Sequence, residues 1–222
     1  MRVEKKASMK IDFHRCVLVH LLVSLLGLAF PAAAQTVNIP DPALQSAIRG
    51  ALNKPAGEIT VADMENLQQL SCRSYGFGPE PIGSLEGLEA AKNLTTLRLE
   101  YDRVQKLALP LGRVSLTTLD LSRNQLTNLS LPATFSNLAN LNLSANQLTN
   151  LTLPAAWSNL ITLNFSANQL INLTLPDGLD NLKDLDLSEN QLENFAIPKG
   201  GSNLINLNLS HNQVTNLTLP WG

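Results

Sequence analysis

Only two cysteines occur in 222 residues. One of them, Cys16, lies in an N-terminal stretch that reads as a cleavable leader, so the chain beyond it cannot close an intramolecular disulfide, and stability must come from packing. Charged residues are scarce at 15% and aromatic residues at 5%, against 44% hydrophobic, a balance that excludes a disordered chain. The formal charge is −2, and removal of residues 1–34 leaves 11 Lys and Arg against 16 Asp and Glu. A mildly acidic product of this kind has no electrostatic case for nucleic acid or anionic lipid. Beyond residue 34 there is one histidine, His211, and no Ser or Cys stands at a motif spacing from it, so no catalytic triad can be assembled. Glycine-rich phosphate loops and metal-ligand cysteine pairs are missing, and Gly200-Gly201 reads as a turn. No catalytic residue, metal site or cofactor is expected.

Long apolar runs are also missing, with one exception. Lys5, Lys6, Lys10 and Arg15 precede CVLVHLLVSLLGLAF, Cys16 to Phe30, which PAAAQ follows. Fifteen residues fall short of the roughly 20 that span a bilayer, and Ala32-Ala33-Ala34 supplies the small residues of a cleavage site before Gln35. Residues 1–34 are therefore expected to be a signal peptide, with Met9 an alternative start. The mature chain, from Gln35, is expected outside the cytoplasm, either extracellular or periplasmic, and not membrane-spanning. Cys16 stands at the head of the apolar run and not at the cleavage point, which argues against a lipoprotein.

What the sequence has in abundance is itself. Asn124, Asn146, Asn168, Asn190 and Asn212 are 22 residues apart, as are Leu94, Leu116, Leu138, Leu160, Leu182 and Leu204. The unit reads LxxLxLSxNQLTNLTLPxxxSN, in five full copies from Leu94 and a partial sixth from Leu204. A degenerate, longer copy, LQQLSCRSYGF, begins at Leu67. LxL alternates inside and outside as a short strand does. The Asn that follows reads as a structural ladder, because a chain that turns sharply after its strand points backbone N–H and C=O groups inward, and one short amide satisfies both kinds. The second LxL ends in proline, which has no N–H to donate, so a second short strand should finish there. Cys72, at the second leucine of its LxL, is expected to be a buried, inert thiol.

LxxLxLSxNQL resembles the leucine-rich repeat, and the 22-residue length is similar to that of internalin-like exported proteins of bacteria. The resemblance covers residues 67–222 and implies a solenoid with a parallel β-sheet on its concave face. NLTLP stands where internalin repeats carry a helical turn, so extended or strand-like segments are expected on the convex face. Residues 35–66 read as a helical cap: Asp41 as N-cap with Pro42 at the first helical position, then Thr60 and Asp63 at capping-box spacing. The segment resembles the N-terminal cap of internalin-like proteins, which covers the first layer of the stack. The other end stops partway through a unit, with Trp221 as lid. Either the gene is truncated there or another chain covers the edge, an open strand edge being a template for pairing.

Candidate binding residues follow from the outward column of the main strands, a polar face on the order of 30 Å long. It runs Thr96, Arg98, Glu100; Thr118, Asp120, Ser122; Asn140, Asn142, Ser144; Thr162, Asn164, Ser166; Asp184, Asp186, Ser188; Asn206, Asn208, Ser210. Arg98, Tyr101 and Arg123 carry the guanidinium and aromatic chemistry that dominates protein interfaces, which places the strongest contacts near the N-terminal end. Asp184 and Asp186 stand two apart on one strand, but their neighbours Thr162, Asn164, Asn206 and Asn208 do not offer the six to eight oxygens of a calcium site. Eight Asn-x-Ser/Thr sequons occur, each generated by the repeat itself. The expected function is non-enzymatic binding of another macromolecule, most simply a protein, on the concave face. The alternatives are a carbohydrate-binding module using the Asn, Thr and Ser rows, and self-association through the C-terminal edge.

Overall fold

The first leucine of each LxL and the residues on either side of it form a strand, five residues long in the first two copies and three in the others, and the period of the sequence becomes the register of a sheet. The computed structural model describes residues 35–73, 82–100, 104–105 and 115–219, all within the second of the two units into which the chain divides, Gln35–Gly222. Two helices, α1 (Pro42–Ala51) and α2 (Val61–Glu65), come first. The strands are β1 (Gln69–Arg73), β2 (Thr96–Glu100), β3 (Thr118–Asp120), β4 (Asn140–Asn142), β5 (Asn150–Thr152), β6 (Thr162–Asn164), β7 (Asn172–Thr174), β8 (Asp184–Asp186), β9 (Asn194–Ala196), β10 (Asn206–Asn208) and β11 (Asn216–Thr218).

A seven-stranded parallel sheet runs β1-β2-β3-β4-β6-β8-β10. Neighbours from β2 onward are offset by one repeat, as in Leu119↔Leu141↔Leu163↔Leu185, whereas β1 pairs with β2 through Gln69↔Thr96, the longer spacing of the degenerate copy. The second LxL forms two further parallel pairs, β5 with β7 and β9 with β11. Each turn thus carries a strand on one side and an extended or strand-like segment on the other, with little helix. The core between them is one cluster, built from stacked leucines and from Phe135, Phe165 and Trp157, all fully buried. The indole N–H of Trp157 donates to Pro132 O at 3.3 Å, so the largest core side chain leaves no polar atom stranded.

Cys72 lies in the leucine column, opposite Leu99, but is half-buried where its neighbours are buried. Leu70 on the same outermost strand is fully buried, so the partial exposure is local to the end of β1.

The helices are made by their caps. Asp41 Oδ1 accepts from Leu44 N at 2.9 Å, and its Oδ2 accepts from Gly83 N and Ser84 N, so one carboxylate starts α1 and ties it to the first turn of the stack. Thr60 and Asp63 form a reciprocal capping box at α2. Leu44, Ile48, Ile59 and Met64 join the same core as the repeats, so the first leucine layer is covered. Gly87 (φ 94°) is required where it stands, since a Cβ there would meet Asn38 O at 2.5 Å.

Lys54 Nζ lies 2.6 Å from Asp63 Oδ2. That hydrogen bond, followed by those from the Thr60 side chain and backbone, lowers the Asp63 pKa from 3.8 to about 2. A depressed carboxylate stabilises the fold above its unfolded pKa and loses that contribution as pH falls toward the folded value, here from 3.8 to about 2. Urea unfolding of the native protein and of Asp63→Asn should therefore differ most at pH above about 4 and converge by about pH 2; a constant difference across that window contradicts the pairing.

Candidate functional site

The outward residues of the seven-stranded sheet form one continuous face. Arg98 is exposed on β2, beside Asp120 on β3, and among the described residues no ion pair or hydrogen bond holds its guanidinium. Thr96 and Glu100 flank it, half-buried. Arg123 is exposed just beyond β3. Tyr101 and Trp221 lie outside the described residues. The rest of the face is half-buried Asn142, Asn164, Asp184 and Asp186, with Asn208 exposed on the last strand.

The second outward column is not simply a recognition surface. Asp120 Oδ1 accepts from Ser122 N at 2.9 Å, Asn142 Oδ1 from Ser144 N at 3.0 Å and Asn164 Oδ1 from Ser166 N at 3.0 Å. Asp186 and Asn208 repeat the bond to Ser188 and Ser210. Each short side chain closes a turn two residues on and so ends its strand. Two of the serines are buried, Ser122 at 5% exposed and Ser188 at 7%, which corrects their placement in the outward row; Ser144 and Ser166 are half-buried and Ser210 is exposed. What this column presents to a partner is the Asn Nδ2 donor or the second carboxylate oxygen of the Asp residues. Some of that is also used along the face, where Asn142 Nδ2 donates to Asp120 Oδ2 and Asn206 Nδ2 to Asp184 Oδ1.

After the serine comes a residue in left-handed conformation: Arg123, Ala145, Ala167, Glu189 and His211, with φ between 53° and 57°. Then comes the ladder Asn. Asn146 Nδ2 donates to Leu143 O at 3.0 Å and Ser144 O at 3.3 Å in its own turn, and to Leu121 O at 2.9 Å in the turn before. Its Oδ1 accepts from Leu126 N at 3.0 Å, again in the preceding turn. Asn168, Asn190 and Asn212 make the same set, and Asn124 Oδ1 accepts from Val104 N. Asn124, Asn146, Asn168 and Asn190 are buried, and Asn212 half-buried.

Two features of the site leave only a faint trace in the sequence. A second ladder runs on the exposed side: Asn159 Nδ2 donates to Ser136 O, Asn181 to Ser158 O, Asn203 to Asp180 O and Asn93 to Glu65 O. Its signal is the Asn that closes most units, after Ser in three of them. Exposed aliphatic side chains also stand beside the sheet. Ile161 is 38% exposed and Ile205 71%, and they occupy one column on either side of Lys183, as the chain of bonds Lys183 N to Ile161 O and Ile205 N to Lys183 O shows. An isoleucine in a position filled elsewhere by Thr, Ala or Lys is the signal that points to them.

With this geometry in view, residues 114–155 match a family model described as leucine-rich repeats, two copies. No curated protein sequence matches. Among solved structures the chain is similar to YopM from Yersinia enterocolitica WA-314, at 30% identity over 68% of this chain and 32% of that one, with a TM-score of 0.51. It is also similar to the functional domain of InlJ from Listeria monocytogenes (20% identity, 83% of this chain, 51% of that one, TM-score 0.43). An internalin C2 from the same species matches at 24% identity over 84% of this chain and 98% of that one, with a TM-score of 0.32. The chain spans about a third of the length of YopM and about half of that of the InlJ domain. The fold is a leucine-rich repeat solenoid.

Loss of one ladder amide has unequal consequences for its partners. Leu121 O keeps the amide of Asn124, and Leu143 O keeps that of Asn168, but Leu126 N–H has no other partner among the described residues. Asn146→Leu should cost about 1–3 kcal/mol in urea denaturation for that one buried donor. Asn146→Asp should cost more, since an acceptor-only carboxylate then faces three carbonyl oxygens. Asn212→Leu should cost less, water having access to the last turn. Equal stability of Asn146→Leu and the native protein contradicts the role given to the amide.

Proposed function

We propose that this chain is an exported, non-enzymatic leucine-rich repeat protein that binds another protein on the concave face of its seven-stranded sheet. Export rests on the leader-like residues 1–34. Binding rests on one observation above the others: six repeats of a single strand present a continuous outward rank with Arg98 uncommitted at one end and the column Ile161, Lys183 and Ile205 at the other. A guanidinium supplies directed hydrogen bonds and a stacking plane, and exposed isoleucines supply area to remove from water. The Asn-rich middle, with its oxygens closing turns, contributes orientation more than affinity. This distribution favours a protein over a glycan on this face. YopM shares the architecture, which is support by analogy of fold.

A second reading has its own observation. In the last described turn Ile205 is 71% exposed, Leu217 46% and Leu219 43%, and among the described residues Val214 N–H lacks the amide partner that Leu126, Leu148, Leu170 and Leu192 have. Those exposed aliphatic side chains fit association with a second copy of the chain.

A photo-crosslinking residue placed at Arg98, at Asn142 or at Thr174 on the opposite side separates the two. The concave-face reading expects a discrete adduct with extracellular protein from Arg98 and Asn142 only, and a loss of at least about 2 kcal/mol in affinity when Arg98 and Tyr101 become alanine. Adducts from all three positions alike overturn it. Concentration-dependent dimers that Ile205→Lys abolishes, with no heterologous adduct, leave the second reading in its place.

A further inference from the structure

The convex side contains a surface of different character, independent of the concave-face reading. β5 pairs with β7 on one side only; toward residues 128–130 of the preceding turn no ladder forms, although the concave strands of the same two turns, β3 and β4, are paired. Trp157 links the two turns through its bond to Pro132 O. Between them lies a cleft of about 550 Å³, within the range of small-ligand sites.

Its lining is specific in what it holds. Asn128, Ser130, Asn150 and Thr152 bring two amides and two hydroxyls, all exposed. The side chains of Asn128, Ser130 and Thr152 make no hydrogen bond within the described residues, and the Asn150 amide makes only a long one of 3.3 Å to Thr149 Oγ1. Half-buried Leu129 and Pro154 add an apolar strip. No ionisable group lines the cleft. Among the described residues, charges stand farther along the stack, at Asp177, Glu193 and Lys199.

We propose that this cleft binds a neutral, linear oligosaccharide. A carboxamide donates and accepts from one planar group, so it matches a pair of adjacent sugar hydroxyls, one acting as acceptor and the other as donor. Ser130 and Thr152 add groups that rotate to suit either role. The C–H face of a pyranose ring packs on Leu129 and Pro154. An anionic ligand finds no countercharge among the described residues, and an apolar one would bury four polar side chains unpaired, which is costly. A second protein copy is disfavoured because every fully exposed lining group is small. Without an aromatic platform each ring is held weakly. The exposed columns continue through Asn172 and Thr174, so a longer chain gains further contacts in register.

Saturation-transfer NMR on the purified full chain tests this with three probes: cellohexaose and chitohexaose, both neutral, and hexagalacturonate, anionic. Transfer to ring protons of at least one neutral hexamer is expected, and not to hexagalacturonate. Asn128→Ala with Asn150→Ala should reduce it at least about fivefold, as should Ala133→Trp, which fills the cleft without touching the amides; Arg98→Ala should leave it unchanged. Circular dichroism confirms that each variant is folded. Absence of transfer from both neutral hexamers, equal transfer to the anionic probe, or transfer that survives both cleft variants overturns the proposal.

Discussion

A chain that reverses direction after a three-residue strand leaves its main-chain groups aimed at its own core, and in this solenoid one asparagine amide per turn satisfies them. The other regularities depend on it. Asn146 collects three carbonyls and one N–H, two of these four groups in the preceding turn, so it closes its own bend and holds the neighbouring one at a fixed offset. That offset is the repeat length, and it aligns the leucines into one core and the outward residues into ranks. The bond set also has a direction. Each turn waits for the amide of the next, so the stack cannot be covered in the same way at its two ends. The N-terminal end is covered by α1 and α2, joined to the first turn by Asp41.

The period, the strands, the ladder and the caps were legible because each leaves a one-residue signature at fixed spacing. Leucine marks the core, Asn the inward bend, Asp41 and Thr60 the helix starts. What was not legible depends on how the chain bends after the strand. Alternation alone places Ser122 outward, but Asp120 captures its N–H and turns it inward. The same bend forces Arg123, Ala145 and His211 into a left-handed conformation, which the variety of residues there conceals. The second ladder was visible only as the closing SN of a consensus, and an exposed Asn is equally at home in any solvated loop or turn. Ile161 and Ile205 were hidden by averaging, since a consensus records what repeats and these two residues depart from it.

The two sides of the stack therefore differ chemically although both come from LxL. On the concave side the polar residues close turns, and what distinguishes one strand from the next is a few charged or apolar groups: Arg98, the Asp184 and Asp186 carboxylates, and the isoleucines on either side of Lys183. On the convex side the Asn, Ser and Thr residues close nothing and remain open to solvent. In the turns from Asn128 to Thr174 they form a surface without charge. One repeat thus yields a face with local landmarks and a face that is uniform.

Hydrogen exchange at individual backbone amides tests the central claim most directly. The Leu126, Leu148, Leu170 and Leu192 N–H groups, each donating to the amide oxygen of the following turn, should exchange only through opening on the scale of global unfolding. Val214 N–H, in the equivalent position of the last described turn and without such a partner among the described residues, should exchange orders of magnitude faster. Fast exchange at Leu148 and Leu170, at a rate like that of Val214, would show that the asparagine amides do not hold the turns together.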